Sequence, residues 1–349
     1  MPTLFRWSFG LLLCGSLLAP NPSSWAGPRP RYALDGHERP VALLRTGKAT
    51  YLVTQRSVFR LEGKQLVRKY RGSAPIQCAA AADTVLWLGT HQGLLGLNTR
   101  TFGAHPLALP GPEAAPNITA VFRDLRGALW VGANGYGAFR WANGAFAPEL
   151  GVASINGGVA TTDSSVWVAT SVGLNRKRGA EWIRYNEEGV GNREIPDNIV
   201  EKLLPDNAGN LWVVMSDAIC VFEAGGTRGE AELPTVRFLG RPGNELYGVA
   251  SVRGEGRLFA TGMGLLLLPN EPADRLTSFD APATDKVAPA RLLRPVPAPA
   301  GAANPVLLQV DDHQRLWLVS EAEVVVLTTK EFHRLAAGLA KPAGGTAKL

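Results

Sequence analysis

A short pattern that recurs along the chain constrains the fold more than any other feature. It joins an acidic residue, a glycine three places later and a Leu-Trp pair, as in DLRGALWVG at 124 to 132 and DNAGNLWVV at 206 to 214. Related segments contain tryptophan at 87, 167 and 317, and weaker copies contain Phe259 and Tyr51. The chain is therefore predicted to contain seven repeated units.

The spacing and composition of these units predict an all-β fold. The seven aromatic positions recur at intervals of roughly 36 to 58 residues, and propeller repeats of four strands run to roughly 40 to 45 residues. Each unit contains short β-branched and aromatic runs separated by Gly, Asp, Asn and Pro, which excludes helical repeats of similar length. We therefore expect a seven-bladed β-propeller of four-stranded antiparallel blades.

Within a unit, the acidic residue and the glycine are predicted to form a tight turn. An Asp side chain bonds backbone N–H groups in such turns, and glycine adopts the positive φ that closes them, so we assign this role to Asp124, Gly127, Asp206 and Gly209. The apolar run that follows predicts a strand buried on both faces. Large rings are expected to fill the space between blades, namely Trp87, Trp130, Trp167, Trp212, Phe259 and Trp317.

Some segments depart from the pattern. The last unit has Gln314 in place of the turn glycine, and the turn before Trp167 is interpreted as one residue short. The Pro/Ala-rich stretch at 270 to 305 predicts a strand near 276 to 279 and then a flexible insertion at 280 to 305. RYAL at 31 to 34 is expected to pair with the last blade and close the ring, with EFHRL at 331 to 335 as the alternative.

The compound motif resembles the two-component regulator propeller repeat. In that family Pro-x-Asn-x-Ile/Val leads to Asp-x-x-Gly-x-Leu-Trp-Val-Gly, and IPDNIVEKLLPDNAGNLWVV and APNITAVFRDLRGALWVGANGYGAF follow this order. The resemblance covers two units well, four tolerably and the first by spacing alone. It implies an extracytoplasmic sensory input domain, here without a kinase or a transmembrane segment.

The N-terminal segment predicts export. Arg6, an apolar run from Phe9 to Leu18 and the small residues Ser24 and Ala26 together indicate a signal peptide of residues 1 to 26, cut after Ala26. Lipidation at Cys14 is the less favoured alternative. The propeller is then expected to span 27 to 335, followed by a disordered tail at 336 to 349. We expect the mature chain to be a periplasmic or secreted monomer without a membrane helix.

The sequence offers little evidence of catalysis. It contains no Gly-x-Ser-x-Gly, His-Glu-x-x-His or P-loop pattern, and its Asp-rich turns offer too few oxygen ligands for calcium. Cys78 and Cys220 are expected to be buried free thiols. The net charge of +6 is scattered, and its densest cluster, RKR at 176 to 178, is interpreted as a solvated loop, so nucleic-acid binding is not expected. We assign no catalytic residue, no metal and no cofactor.

A binding site is instead expected on one face of the ring. The loops between the second and third strands of each blade, with the links between blades, are predicted to gather there around a central channel, and ligands usually bind such concave surfaces. The candidate ligand-binding residues are Arg56, His91, Gln92, Asn134, Tyr136, Asn156, Asn198, Asp217, Tyr247 and Glu321. Taken singly, each of them also fits an ordinary solvated loop residue.

Three functions remain open from the sequence. The first is a binding or sensory module for a polar ligand, such as an oligosaccharide or a peptide, or for an envelope protein. The second is an enzyme that resembles streptogramin lyases, for which the resemblance requires a histidine base and a metal-binding acid, here His91 and Glu321. The third is a rigid scaffold that presents its faces to other proteins.

Overall fold

Seven four-stranded antiparallel sheets, arranged in a ring, make up the structure. The computed structural model describes residues 30–34, 36, 38–111, 115–190, 194–216, 218–222, 235–236, 245–262, 264–269, 294–296 and 304–337. The predicted seven-bladed β-propeller is thus confirmed. The predicted signal peptide and residues 338 to 349 of the predicted tail lie outside the described residues.

The strands follow one another along the chain, blade by blade. Blade 1 comprises β2 (Pro40–Thr46), β3 (Ala49–Thr54), β4 (Ser57–Glu62) and β5 (Gln65–Arg71), and blade 2 comprises β6 (Ile76–Ala82), β7 (Val85–Thr90), β8 (Gly93–Asn98) and β9 (Ala104–Leu107). Blade 3 comprises β10 (Ile118–Arg123), β11 (Leu129–Ala133), β12 (Gly137–Ala142) and β13 (Ala145–Leu150), and blade 4 comprises β14 (Ile155–Ala160), β15 (Val166–Thr170), β16 (Gly173–Arg178) and β17 (Glu181–Tyr185).

The second half of the chain continues this order. Blade 5 comprises β18 (Val200–Pro205), β19 (Leu211–Met215), β20 (Ile219–Phe222) and β21 (Thr235–Val236), and blade 6 comprises β22 (Leu246–Val252), β23 (Gly256–Thr261), β24 (Gly264–Pro269) and β25 (Arg294–Val296). Blade 7 comprises β26 (Leu307–Val310), β27 (Leu316–Val319), β28 (Glu323–Leu327) and β1 (Arg31–Ala33). Helix α1 (Thr329–Ala337) follows blade 7.

The ring is closed by the N-terminal strand. β1 pairs antiparallel with β28, so the outermost strand of blade 7 comes from the start of the propeller. The prediction for RYAL at 31 to 34 is therefore confirmed. The alternative segment, EFHRL, lies in α1, whose Phe332 and Leu335 are buried against blades 6 and 7. The predicted disordered tail is wrong at its first two residues, because α1 ends at Ala337.

The core consists of seven apolar clusters, one between each pair of neighbouring blades. The last cluster joins blade 7 to blade 1 through Trp317, Leu52 and Phe59. The tryptophans occupy these spaces as predicted: Trp212 lies against Phe259 of blade 6, with ring centroids 5.1 Å apart. Because each sheet is covered on both faces, its second strand is apolar at consecutive positions.

In blades 3, 5 and 7, the turn before the tryptophan is held by a carboxylate that also bonds the indole. Asp206 Oδ1 accepts from the backbone N–H groups of Ala208 and Asn210, both at 2.9 Å, and its Oδ2 accepts from Trp212 Nε1 at 3.0 Å. Asp124 and Asp311 make the same bonds to Trp130 and Trp317 at 3.0 and 2.9 Å. We call this arrangement the indole clamp. The sequence predicted the turn but not the bond to the indole.

The turn glycines have the predicted conformation. Gly127 and Gly209 have φ angles of +84° and +87°, a region that side chains disfavour. In blade 7, Gln314 holds the same position at +58°. The absence of glycine there therefore does not change the turn.

Blade 4 corrects the prediction of a shortened turn. Thr161 takes the place of the aspartate, since its Oγ1 accepts from Trp167 Nε1 at 2.9 Å, and Ser164 takes the place of the glycine with φ +66°. Asp163 lies inside the turn and pairs with the buried Arg176 at 2.7 Å. The turn has the common length, and its acidic residue is displaced by two positions.

The RKR segment is also reassigned. Residues 176 to 178 lie in β16 rather than in a solvated loop, and Arg176 is fully buried with its guanidinium 4.5 Å from the centre of the Trp167 ring. Lys177 bonds Glu149 of blade 3. Arg176 and Lys177 therefore make ion pairs and ring contacts within the propeller.

Blade 6 has a different residue at the tryptophan position from the one predicted. In blade 5, Trp212 pairs with Leu204 of the first strand. The equivalent pair in blade 6 is Leu258 with Ala250, so Leu258 rather than Phe259 holds the tryptophan position. Because neighbouring residues of a strand face opposite sides, Phe259 packs back against blade 5. The fourth strand of this blade is β25 at 294 to 296, inside the predicted insertion, and the predicted strand at 276 to 279 lies outside the described residues.

Candidate functional site

The first strands of all seven blades surround a central cavity of about 840 Å³. These strands lie beside one another around the axis of the ring, and each contributes three or four consecutive residues to the wall. They are β2, β6, β10, β14, β18, β22 and β26. A concave site of this size is within the range that binds small ligands.

A β-bulge shapes the wall near one end of six of these strands. In β6, for example, the pairing passes from Ile76 directly to Cys78 and leaves Gln77 as the extra residue. Bulges re-aim a side chain and commonly occur beside binding sites. The extra residues are Val41, Gln77, Thr119, Asn156, Glu201 and Tyr247.

Three of the bulge side chains tie neighbouring blades together. Gln77 Nε2 donates to the carbonyl oxygen of Ile118 at 3.2 Å, Thr119 donates to that of Ile155, and Asn156 Nδ2 donates to that of Val200 at 2.8 Å. Each acceptor is the first residue of the next blade's inner strand. From blade 2 to blade 5, the polar wall of the cavity is therefore held in place by hydrogen bonds.

The loops between the second and third strands are fixed by hydroxyl groups. Thr90 Oγ1 donates to the carbonyl oxygen of Gly93 at 2.8 Å and accepts from the N–H of Gln92 at 3.0 Å. Thr170, Thr261 and Ser320 donate to the equivalent carbonyl oxygens of blades 4, 6 and 7. These bonds hold the loops of His91, which lines the cavity, and of Glu321, which does not, in short turns.

The structure brings three of the predicted binding residues to the cavity. His91, Asn156 and Tyr247 line it. Six others lie elsewhere, and the last, Asp217, lies outside the described residues. Those that do not line the cavity are Arg56, Gln92, Asn134, Tyr136, Asn198 and Glu321.

Some of these six have a structural contact instead. Asn198 Oδ1 accepts from the N–H of Glu187 at 2.9 Å and holds the link before blade 5. Tyr136 packs against the core between blades 2 and 3 and lies beside Gly111. For these two residues, the structural interpretation fits the contacts better than direct ligand binding.

The sequence reasoning missed other polar side chains of the wall. They are Arg39, Gln55, Gln77, Thr119, Lys202 and Gln309. Most of them lie on or beside the first strands rather than on the loops considered first. A pattern in the sequence could have indicated some of them. In four units, the first buried apolar residue of the first strand is followed directly by a polar residue, as Ile-Gln, Ile-Thr, Ile-Asn or Leu-Tyr.

Charged groups gather around Tyr247. The ammonium group of Lys202 lies 5.5 Å from the centre of its ring. A hydrogen bond with Glu245 raises the pKa of Tyr247 most, burial and the charge of Glu245 raise it further, and the nearby Arg39 opposes the shift. Glu321 acts on the same hydroxyl through its charge. Tyr247 therefore keeps its proton across the neutral pH range and shares it with Glu245, which leaves its oxygen to accept from a ligand.

Metal and thiol chemistry find little support at this site. Within the described ranges, no three His, Cys, Asp or Glu side chains are grouped so that they could hold a metal ion. Cys78 and Cys220 are free thiols, as predicted, and burial raises the pKa of each to about 12. Such thiols are poor nucleophiles at neutral pH, because the thiolate is the reactive form.

Comparisons with known proteins agree on the fold. By sequence, no family and no curated protein matches the chain. By structure, it matches the extracellular domain of BT4673 from B. thetaiotaomicron, which is described as a hybrid two-component system, with a TM-score of 0.57 and 15% identity over 83% of this chain and 38% of that one. The chain thus spans about two fifths of the length of that domain.

Two other matches cover nearly whole structures. Virginiamycin B lyase from Staphylococcus aureus matches with a TM-score of 0.60 and 13% identity, over 85% of this chain and 98% of the lyase. YCF48 bound to D1 peptide matches with a TM-score of 0.61 and 9% identity, over 87% and 96%. At these identities the matches establish the propeller fold, which is the fold implied by the sequence resemblance. In the part of the chain that the structure describes, we find no helix with the length and apolar character needed to cross a bilayer.

Proposed function

We propose that this chain is an extracytoplasmic binding or sensory module that takes a polar ligand, an oligosaccharide or a peptide, in its central cavity. The observation that carries the proposal is the wall itself. Amide, hydroxyl and imidazole groups from several blades, among them Gln77, His91, Asn156, Tyr247 and Gln309, face one cavity of about 840 Å³. Hydrogen bonds between blades hold part of this wall in place before any ligand arrives, which lowers the entropic penalty of binding.

The structural matches support the same direction. One is an extracellular domain of a hybrid two-component system, and YCF48 was solved with a bound peptide. Export through the predicted signal peptide, cut after Ala26, would place the module in the periplasm or outside the cell. In this proposal, ligand binding is transmitted by contact with an envelope protein.

The test is a ligand screen on the mature chain. Thermal unfolding is measured with a panel of neutral, acidic and amino-sugar oligosaccharides and short peptides, because a ligand bound only by the folded state raises the midpoint. A hit is then titrated against three variants of the wall, Gln309→Ala, Lys202→Gln and Tyr247→Phe. Lys64→Gln, at an exposed hairpin of blade 1 away from the cavity, is the matched control.

The expected result is a saturable rise in the midpoint that the wall variants weaken and the control keeps. Loss of one hydrogen bond to a ligand weakens binding by roughly threefold to tenfold, and more where the group is charged. A hit that binds all four variants equally would place the ligand elsewhere. If no compound raises the midpoint and the chain is instead captured with an envelope protein, the scaffold alternative is favoured.

A lyase activity is the second candidate. It is favoured by the match to virginiamycin B lyase along nearly its full length and by the position of His91 in the cavity wall. Against it, Glu321 lies outside that wall and the described residues offer no metal-binding group. Incubation with a streptogramin, with and without a chelator, tests the activity, and turnover that survives in His91→Ala would exclude His91 as its base.

A further inference from the structure

A second cavity, of about 500 Å³, lies between blades 1 and 2. Its walls come from the hairpins β2–β3 and β6–β7, from β4 and from the turn after β8. These hairpins and this turn lie on the face of the ring opposite the loops between the second and third strands. The lining residues are Thr46, Lys48, Ala49, Tyr51, Arg60, Asp83, Thr99 and Arg100. It is therefore separate from the central cavity and shares no residue with it.

This cavity occurs where the indole clamp is missing. Tyr51 takes the tryptophan position of blade 1, opposite Leu44 of the first strand. Arg45 stands where the clamp aspartate would be, and it pairs instead with Asp312 of blade 7 at 3.3 Å. Blade 1 thus lacks both the larger indole ring and the carboxylate that would bond it.

The hydroxyl of Tyr51 is left without a partner. The residue is 2% exposed, and among the described residues no group lies within hydrogen-bonding distance and angle of its hydroxyl. Since Tyr51 lines the cavity, its hydroxyl is available to a ligand there.

Three positively charged side chains line the same cavity as that hydroxyl. Arg60 is the cross-strand partner of Tyr51 and projects from the same face of the sheet. Lys48 and Arg100 come from the two blades, and within the described chain neither has a carboxylate within 4.0 Å. Arg60 lies 3.9 Å from Glu62, which bonds Lys69 more closely at 2.8 Å. Against these three cations, Asp83 is the one acid of the lining.

We propose that this cavity binds a tetrahedral oxyanion, the group carried by phosphate and sulfate esters. The Tyr51 hydroxyl donates to one oxygen, while Lys48, Arg60 and Arg100 donate to the others and neutralise the charge. Four donors on different strands and turns suit an anion with three or four oxygens better than a carboxylate with two. Arginine in particular binds phosphate-like groups through paired N–H donors.

The test is a titration of the ¹⁵N-labelled chain with inorganic phosphate and, in a separate arm, with inorganic sulfate, at constant ionic strength. Constant ionic strength matters because general screening also changes surface electrostatics. We expect saturable shifts of the backbone amide signals of Lys48, Ala49 and Arg100. The arm with the lower Kd identifies whether phosphate or sulfate is the preferred group.

Three variants decide the role of the residues. Lys48→Gln combined with Arg100→Gln is expected to raise the Kd at least about tenfold. Tyr51→Phe keeps the ring and removes the hydroxyl, and is expected to raise it by roughly threefold to tenfold. Arg126→Gln, at the equivalent hairpin of blade 3, is the control and should leave the Kd unchanged.

Several outcomes would overturn the proposal. They are shifts that do not saturate, shifts centred on the central cavity, and an equal Kd in the double variant and the Arg126→Gln control. An unchanged Kd in Tyr51→Phe alone would show that the hydroxyl does not bind the anion. The proposed site would then rest on surface charge alone. The unchanged amide spectrum outside the cavity shows that each variant is folded.

Discussion

Replacing Asp206 with alanine should destabilise the fold more than the replacement of any exposed turn residue. The side chain accepts four hydrogen bonds, from two backbone N–H groups, from Asn210 Nδ2 and from Trp212 Nε1, all at 2.9 to 3.0 Å. Its carboxylate is fully buried, and Arg257 lies 3.8 Å away. The substitution therefore removes a buried charge-assisted network at once.

The magnitude follows from the donors that are left unpaired. The indole N–H of Trp212 and the amide of Asn210 belong to buried residues, and each unpaired buried donor costs about 1 to 3 kcal/mol. Loss of the turn's backbone bonds adds to this, so we expect a fall of about 3 to 5 kcal/mol in the free energy of unfolding. For a chain of this size, that corresponds to a midpoint lower by roughly 5 to 10 °C.

A double-mutant cycle isolates the bond to the indole. Trp212→Phe removes the N–H and keeps most of the apolar ring, and urea unfolding is measured for Asp206→Ala, Trp212→Phe and the double variant. We expect a coupling energy of about 1 to 2 kcal/mol, because the two groups lose the same bond. Asp124→Ala, at the less buried clamp of blade 3, should cost less. A coupling energy near zero would refute the reasoning that carboxylate and indole act as one unit.

Three further predictions concern the turns, the charges and the closure of the ring. Gln314→Gly should raise the free energy of unfolding by about 0.5 to 1 kcal/mol in urea titrations, because φ +58° is disfavoured for glutamine, whereas His313→Gly should not. Burial alone would raise the pKa of Asp311, but bonds from Trp317 and Arg315 hold it at about 2, below its unfolded value of about 4. This contributes about 1 to 2 kcal/mol to the free energy of unfolding above roughly pH 4, and the contribution is lost as the pH falls to 2. Between roughly pH 4 and 2, Asp311→Asn should therefore lose less stability than the parent chain by about that amount, while Asp163 and Glu149, whose pKa values are also lowered, still contribute to the fall. A chain starting at residue 36 should be less stable by about 3 to 5 kcal/mol than one starting at 27, because it loses β1 and the buried Leu34; equal unfolding midpoints would show that β1 does not contribute to closure.

The architecture could be predicted because it depends on local chemistry that repeats. Aspartate, glycine and tryptophan at fixed spacing each have a physical role in the hairpin, so their recurrence indicated both the blades and their number. The prediction was less successful where another residue type fills the same role. In the blade 4 turn, Thr161 and Ser164 hold the positions of the aspartate and the glycine, and Leu258 replaces the ring in blade 6.

The binding surface was harder to predict, because it depends on pairing register. His91, Asn156 and Tyr247 were found from their repeat phase, but Lys202 and Gln309 face the cavity because of how the first strands are placed around the axis. A bulge is visible only once the partner strand is known. The cavity beside Tyr51 depends on residues from two blades and on a bond that is missing, which one strand's sequence does not reveal.

The strand that completes blade 7 has a consequence for the order of assembly. Arg31–Ala33 finds its partner in Glu323–Leu327, near the other end of the propeller. During synthesis or export from the N-terminus, the ring stays open until blade 7 has emerged, and β1 has no strand partner until then. An unpaired strand invites pairing with other chains, so we expect aggregation mainly in the interval before β1 meets β28.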